Sequence, residues 1–127
     1  MTGCSELRIT RAAKPEAAKP IRQALRAFLD ALGFDPIVCD DILTAVGEAI
    51  VNAVEHAYDG SGTGDVEVFA HLNDGWLTVD VCDRGRFIER ERRADRGFGM
   101  PIVRAIARAV SVDTSNGTAV HMLFDGP

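Results

Sequence analysis

The chain has 127 residues, a formal net charge of −5 and 46% hydrophobic residues, a size and balance typical of one globular domain with a substantial core. The negative charge argues against a surface that wraps nucleic acid, and no apolar run approaches the ~20 residues of a membrane span. Residues 1–20 lack the apolar segment of a signal peptide, and three widely spaced cysteines indicate reduced thiols in the cytoplasm.

The first half of the chain predicts one strand followed by two helices. Residues 7–10 alternate apolar and polar side chains, as a half-buried strand does. Pro15 with an acidic neighbour is a helix-start signal, and apolar residues then recur every three or four positions until Gly33. Asp35 is a plausible N-cap for a second helix over residues 37–58, which is long enough to cross the face of a sheet.

The second half predicts two pairs of strands and a third helix. Asn-Asp-Gly at residues 73–75 joins the first pair, and Ser-Asn-Gly at 115–117 joins the second. A helix starts near Pro101. The alternation predicts an antiparallel sheet covered on one side, with the last strand buried on both faces. The four strands are predicted at residues 65–72, 76–82, 110–114 and 118–124.

The predicted second helix carries an unusual polar row. Glu48 and Asn52 lie four residues apart, so they share one helix face, and Glu55 continues the row. Polar groups that face a core cost free energy unless they are paired. The simpler interpretation is a row that faces water, and the alternative is a functional site.

A second pattern, Asp83-x-Gly85, follows the strand at residues 76–82. A carboxylate there can point into a pocket while the glycine lets a flat ligand approach the backbone, although a turn with an Asx cap is the alternative. Next, residues 84–96 carry six arginines against three acids. This composition fits a solvated loop or a lid whose arginines reach an anionic ligand.

The third pattern is Gly97-x-Gly99 directly before the helix that starts near Pro101. Free backbone N–H groups and the positive end of a helix suit an anion. An ordinary loop is the alternative for this pattern taken alone.

In this order the patterns resemble the boxes of the GHKL ATPase superfamily, which shares the Bergerat nucleotide-binding fold. Glu48 to Asn52 is similar to the N box, residues 83–85 to the G1 box, and residues 97–99 to the G2 box. Within the superfamily, the sequence resembles the anti-sigma-factor serine/threonine kinases, because the N box continues as Asn-Ala-Val-Glu-His-Ala-Tyr. The resemblance extends from about residue 7 to residue 124.

The resemblance implies an α+β fold: a two-layer α/β sandwich with a mixed, mostly antiparallel sheet covered on one face by helices. It also implies that residues 1–127 form a single histidine-kinase-like ATPase domain. ATP or ADP and Mg²⁺ are the implied cofactors.

The resemblance also implies roles for individual residues. Glu48 would be the catalytic base on an attacking hydroxyl, or would position it. Asn52 would bind the nucleotide by holding Mg²⁺ through its side-chain oxygen. Asp83 would accept a hydrogen bond from the adenine amino group, Gly85 would admit the ring, and Thr118 would support the adenine network. The implied phosphate-binding residues are Gly97, Gly99 and Met100.

The function implied is a cytoplasmic serine/threonine protein kinase. It would phosphorylate a STAS-type anti-anti-sigma protein and sequester a sigma factor of RNA polymerase, as a homodimer without direct contact with nucleic acid or membrane. One residue departs from the family pattern, because Arg86 stands where the full G1 box has a second glycine. A nucleotide-gated protein-binding module with little or no kinase activity is therefore the alternative, and a plain α/β interaction domain is a third.

Three other side chains are expected to be structural. His56 is assigned a structural hydrogen bond ahead of catalysis. Trp76 is expected in the core or packed on its hairpin, and Cys82 as a small buried apolar residue.

Overall fold

The fold was taken from a computed structural model, which describes residues 5–58, 64–83, 100–114 and 117–127, without the side chains of residues 56–58. Five strands form one sheet, and its four pairs of neighbouring strands are all antiparallel. Helices cover one face of this sheet. The predicted two-layer α/β sandwich is confirmed.

The helices and strands follow the predicted order, with boundaries that differ by a few residues. The first strand is longer than predicted, because its pairing with the second strand continues to the partners Ala12 and Asp65. The elements are β1 (Ser5–Ala12), a 3₁₀ helix (Pro15–Ala17), α1 (Ala18–Ala31), α2 (Pro36–Tyr58), β2 (Asp65–Asn73), β3 (Trp76–Asp83), α3 (Pro101–Ile106), β4 (Ala109–Asp113) and β5 (Thr118–Asp125).

The strand order in the sheet is β1-β2-β3-β5-β4. Two hairpins, β2-β3 and β4-β5, therefore meet at the β3-β5 pair, and β3 occupies the centre. The first hairpin turns through Asp74 and Gly75, which both have positive φ angles of 55° and 81°. Positive φ at both central residues is the geometry that suits the twist of a tight hairpin, so the predicted turn at residues 73–75 is confirmed.

The core lies between the helices and one face of the sheet. Helix α1 contributes Ile21, Leu25 and Leu29, all fully buried, and burying each such side chain stabilises the fold by roughly 1.5–3 kcal/mol. Helix α2 contributes small side chains among larger ones, including the fully buried Ala45 and Ala49. Small residues let the axis of α2 approach the sheet closely, which positions the polar row at the edge of the core.

A short connection ends α1 with a C-terminal capping motif and starts α2 a few residues later. Gly33 has a φ of 89° and donates its N–H to Asp30 O at 3.1 Å, while Phe34 donates to Leu29 O at 3.2 Å. These two bonds form a Schellman motif, which satisfies carbonyl groups at the helix end. Asp35 then accepts a long hydrogen bond from the Ile37 N–H at 3.5 Å, which is consistent with its predicted position as N-cap.

The opposite face of the sheet is only half-buried in the part of the chain that the structure describes. On β5, buried and half-buried residues alternate, so the prediction that β5 is buried on both faces is wrong. Cys82 lies on this open face and is half-buried, so its expected burial is also wrong. Trp76 is 43% exposed and therefore lies outside the core, so the first of its two expected positions is wrong and its packing on the hairpin stays a prediction.

Both cysteines that the structure describes are free thiols. Cys39 is fully buried, and desolvation by burial raises the pKa of its thiol. A buried thiol of raised pKa forms little thiolate and is chemically inert. Among the described residues, no helix combines the length and the apolar character needed to cross a bilayer.

Two glycines are expected to respond in opposite ways to alanine. A Cβ at Gly47, within α2, would lie 3.8 Å from the Arg22 Cδ, an ordinary contact, so Gly47→Ala should raise the free energy of unfolding by about 0.5–1 kcal/mol. Gly33→Ala should lower it by about 1–2 kcal/mol, because alanine disfavours a positive φ. Urea denaturation measures both variants. Destabilisation by Gly47→Ala would contradict the packing described for α2.

Candidate functional site

Two buried polar residues face each other at one end of the sheet. Asp83 ends β3 and Thr118 begins β5, and the β3-β5 register makes them direct partners. Each is 6% exposed, and they are the buried polar residues of the described chain. Both belong to the face that the helices cover, in line with the buried Val81 and Val120. The structure therefore brings together two residues that the resemblance assigned to the same adenine network.

The Thr118 hydroxyl points to a missing ligand. Its Oγ1 is buried and has no hydrogen-bond partner within the described residues. A buried hydroxyl without a partner costs about 1–3 kcal/mol, so a native structure that retains one needs an explanation, such as a ligand or an ordered water. A nucleotide base, which carries several donors and acceptors, fits this requirement beside the Asp83 carboxylate.

Helix α2 presents the polar row on the same side of the sheet. Glu48 is exposed and Asn52 is half-buried, while the neighbouring Ala49 and Ala53 are buried. The helix packs against β3, so the row borders the core at the face where Asp83 lies. The exposed Glu48 can be reached by a large substrate. Asn52 has its amide partly withdrawn from water.

Met100 adopts the conformation of a constrained helix start. Its φ of 38° and ψ of 59° are left-handed, and it is 7% exposed. A non-glycine residue in this region costs roughly 1–2 kcal/mol and persists where the surroundings hold it. Its carbonyl accepts a hydrogen bond from Arg104 N at 3.1 Å, and Val103 below it is fully buried. Met100 is therefore a buried residue with a strained backbone at the start of α3.

Several predicted residues lie outside the described residues. These are Gly85, Gly97 and Gly99, together with Arg86 and the side chain of His56. The roles assigned to all site residues, including Glu48, stay predictions.

One side chain near the polar row belongs to none of the sequence patterns. Arg22, on α1, passes over Gly47, with its Cδ and Nε at 3.8 and 3.9 Å from the position that a Gly47 Cβ would take. A guanidinium therefore lies beside the residue that precedes Glu48. The signal available in the sequence was a glycine inside a helix, which often has a packing or functional reason.

The described residues contain no group of three or more His, Cys, Asp or Glu side chains that could hold a metal ion. A metal at Asn52 would therefore draw most of its ligands from phosphate oxygens and water, as Mg²⁺ does at many nucleotide sites.

Comparison with known proteins decides the family. The family described as the histidine kinase-like ATPase domain matches residues 11–124. The chain belongs to this family. The match contains Glu48, Asn52, Asp83 and Thr118, so the predicted superfamily is confirmed, and membership in an ATPase family implies a nucleotide-binding domain.

Relatives of this histidine kinase-like ATPase domain include bacterial proteins with two different names. This chain is 25% identical over 126 residues to the serine-protein kinase RsbW of Oceanobacillus iheyensis. The match covers 87% of this chain and 80% of the relative. This chain is 28% identical over 117 residues to the anti-sigma F factor of Clostridium beijerinckii, covering 81% of this chain and 80% of the relative.

The fold is also similar to a solved structure. The crystal structure of the RsbU and RsbW domains of Rv1364c from Mycobacterium tuberculosis matches with a TM-score of 0.77 and 29% identity. The match covers 97% of this chain and 33% of that one. The histidine kinase-like ATPase domain thus spans about a third of the length of that solved chain.

Replacing the Thr118 hydroxyl separates a ligand role from a structural role. Thr118→Val keeps the shape and removes a hydroxyl that has no partner in the described chain, so the unfolding temperature without ligand should stay equal or rise. ATP affinity should fall by about tenfold, which corresponds to one lost hydrogen bond of ~1.4 kcal/mol. Thermal denaturation and calorimetric titration give the two values. A lower unfolding temperature with unchanged ATP affinity would assign the hydroxyl to the fold alone.

Proposed function

We propose that the protein is an ATP-dependent serine/threonine kinase that acts as an anti-sigma factor. It phosphorylates a STAS-type anti-anti-sigma protein and sequesters a sigma factor of RNA polymerase. The observation that carries this proposal is the buried Asp83-Thr118 pair, with its unpartnered hydroxyl, on the side of the sheet where α2 presents Glu48 and Asn52. Relatives with the names serine-protein kinase and anti-sigma F factor support it.

The base and the phosphates have separate binding residues in this proposal. Asp83 accepts a hydrogen bond from the adenine amino group, Thr118 supplies its free hydroxyl, and Gly85 leaves space for the ring. The Met100 N–H, at a helix start, contributes to phosphate binding together with Gly97 and Gly99.

The chemical step depends on Glu48 and Asn52. ATP would supply the phosphoryl group, and Mg²⁺ held at this site would neutralise its charge. Asn52 provides a neutral oxygen ligand, which suits Mg²⁺. Glu48 is exposed, so the serine or threonine hydroxyl of a protein substrate can reach it. Its carboxylate accepts the proton of that hydroxyl or orients the hydroxyl toward the phosphoryl group.

The organisation of the protein is part of the same proposal. Residues 1–127 act as a single domain in the cytoplasm, and two copies form the active dimer. The domain contacts its protein partners and no nucleic acid.

A second candidate function is a nucleotide-gated binding module with little or no kinase activity. The sequence observation that favours it is Arg86 at the position of the second G1 glycine. Mg²⁺-dependent phosphorylation of a STAS-type protein by the purified chain would eliminate this candidate.

The role of Glu48 is tested by Glu48→Gln, which removes the charge and retains the shape. Phosphate transfer from labelled ATP to a STAS-type protein should fall by about 10²- to 10⁴-fold, the usual contribution of a positioned base, while ATP affinity changes little. The matched control is Glu6→Gln, because Glu6 is exposed on β1 at the open face of the sheet. Transfer that survives in Glu48→Gln would disprove the assigned role.

Asn52→Ala tests the metal site. Calorimetric titration with ATP and ADP, with and without Mg²⁺, should show Mg²⁺-dependent binding that weakens by about tenfold or more in the variant, as expected for loss of a charge-assisted contact. Equal binding with and without Mg²⁺ in the unmodified protein would remove Asn52 as a metal ligand.

A further inference from the structure

A groove of about 480 Å³ lies at the end of the sheet opposite the proposed nucleotide site. In the β3-β5 pair, Asp83 faces Thr118 at one end, and Trp76 faces Asp125 at the other. The eight residue pairs are separated by seven steps of about 3.3 Å each, so the two ends of the pair of strands lie ~23 Å apart. We name this feature the distal groove. Its apolar lining consists of Val38, Ile42, Ile106 and Phe124.

Exposed apolar side chains concentrate around the distal groove. The described chain exposes five large hydrophobic residues: Ile37, Val38, Val51, Trp76 and Ile102. Val38 lines the groove and Ile37, 70% exposed, precedes it. Ile102 shares a face of α3 with the lining residue Ile106, one turn away. Exposed apolar side chains that gather beside one groove are characteristic of an interaction site.

Trp76 alternates with the buried Leu77 and therefore lies on the open face of the sheet, where it neighbours the groove through Arg108. The Arg108 guanidinium lies 5.8 Å from the centroid of the Trp76 ring, and Arg108 lines the groove. Of the five exposed hydrophobic residues, Val51 is the one without such a connection, because it lies further along α2. The surface around the groove is therefore apolar on two sides, the start of α2 and the face of α3, and Trp76 lies beyond Arg108.

The rim of the distal groove carries more negative than positive charge. Two carboxylates, Asp41 and Asp125, and one guanidinium, Arg108, line it. Arg108 Nε is 3.2 Å from Asp125 Oδ1, so these two charges form an ion pair. Asp41 is exposed and forms no ion pair with another described residue. An occupant with a Lys or Arg beside its apolar groups would pair with Asp41, whereas an acidic occupant would be repelled.

We propose that the distal groove docks an amphipathic helix of a protein partner, with apolar side chains in the groove and a basic side chain on Asp41. A helix fits because the groove lies between α2, α3 and the end of β5 and is lined by apolar side chains from all three, and grooves of this kind accept apolar anchors at helical spacing. This site is distinct from the nucleotide site and its existence does not depend on kinase activity. A partner can therefore be held at one end of the domain while the other end binds ATP.

The experiment uses Trp76, the single tryptophan of the chain, as a reporter. The probes are two tryptophan-free synthetic peptides of 16 residues, each with leucines at helical i, i+3, i+4 and i+7 spacing. One carries lysines beside the leucines and the other carries glutamates. The lysine peptide should change the Trp76 emission saturably, and calorimetry should show one site with at least about tenfold higher affinity than for the glutamate peptide.

Three variants decide whether the peptide occupies the proposed groove. Val38→Asp should weaken binding of the lysine peptide by about tenfold or more, whereas Val51→Asp, at a similarly exposed valine of the same helix, should leave it unchanged. Asp41→Lys should reverse the preference in favour of the glutamate peptide. All three positions are exposed, and thermal denaturation checks that each variant folds.

Other outcomes would overturn the proposal. If neither peptide binds, or if Val38→Asp and Val51→Asp weaken binding equally, the groove does not dock a helix. If both peptides bind equally and Asp41→Lys has no effect, the charge complementarity is wrong. If sedimentation shows a dimer that Val38→Asp dissociates, the occupant is a second copy of this chain. ATP affinity, measured on the same variants, should stay unchanged, so a failure here is distinguishable from a failure of the proposed kinase function.

Discussion

The pairing of β3 with β5 is the constraint on which the rest of the structure depends. These strands are neighbours in the sheet but distant in the chain, because α3 and β4 intervene. Their register places Asp83 opposite Thr118. A shift by one residue would move Thr118 to the open face and expose the apolar residues of β5, so the burial of Val120 and Met122 keeps the site assembled.

The loss of folding stability that the site causes is concentrated in a few residues. A buried hydroxyl without a partner at Thr118 and a left-handed backbone at Met100 each destabilise the fold by about 1–3 kcal/mol. The surrounding core offsets this cost, since many fully buried aliphatic side chains contribute roughly 1.5–3 kcal/mol each. Such local costs are expected at sites that are complete only with a ligand.

Helix α2 connects the two ends of the domain. Its first turns form part of the distal groove, and its later turns carry Glu48 and Asn52. The buried alanines Ala45, Ala49 and Ala53 let this helix lie close to the sheet. The same helix therefore serves two surfaces with different chemistry: an apolar one with a carboxylate rim, and a polar one that borders the buried Asp83.

The sequence by itself determined the elements and the family. Period-two alternation and Gly-containing turns located the strands, and the apolar spacing located the helices, because these patterns follow from local backbone geometry. The Glu48 to Asn52 spacing, Asp83-x-Gly85 and Gly97-x-Gly99 in fixed order identified the superfamily. Burial was less predictable: Trp76 is 43% exposed and Cys82 half-buried, because local alternation does not show which face of a sheet is covered.

Only the tertiary structure decided which distant residues meet. It paired Asp83 with Thr118, placed Arg22 over Gly47, and assembled Val38, Ile106 and Phe124 into one groove. Each of these contacts joins segments that are far apart in the chain, and the free energy of such contacts comes from packing and register across the whole sheet. Local sequence patterns carry no direct record of that long-range geometry.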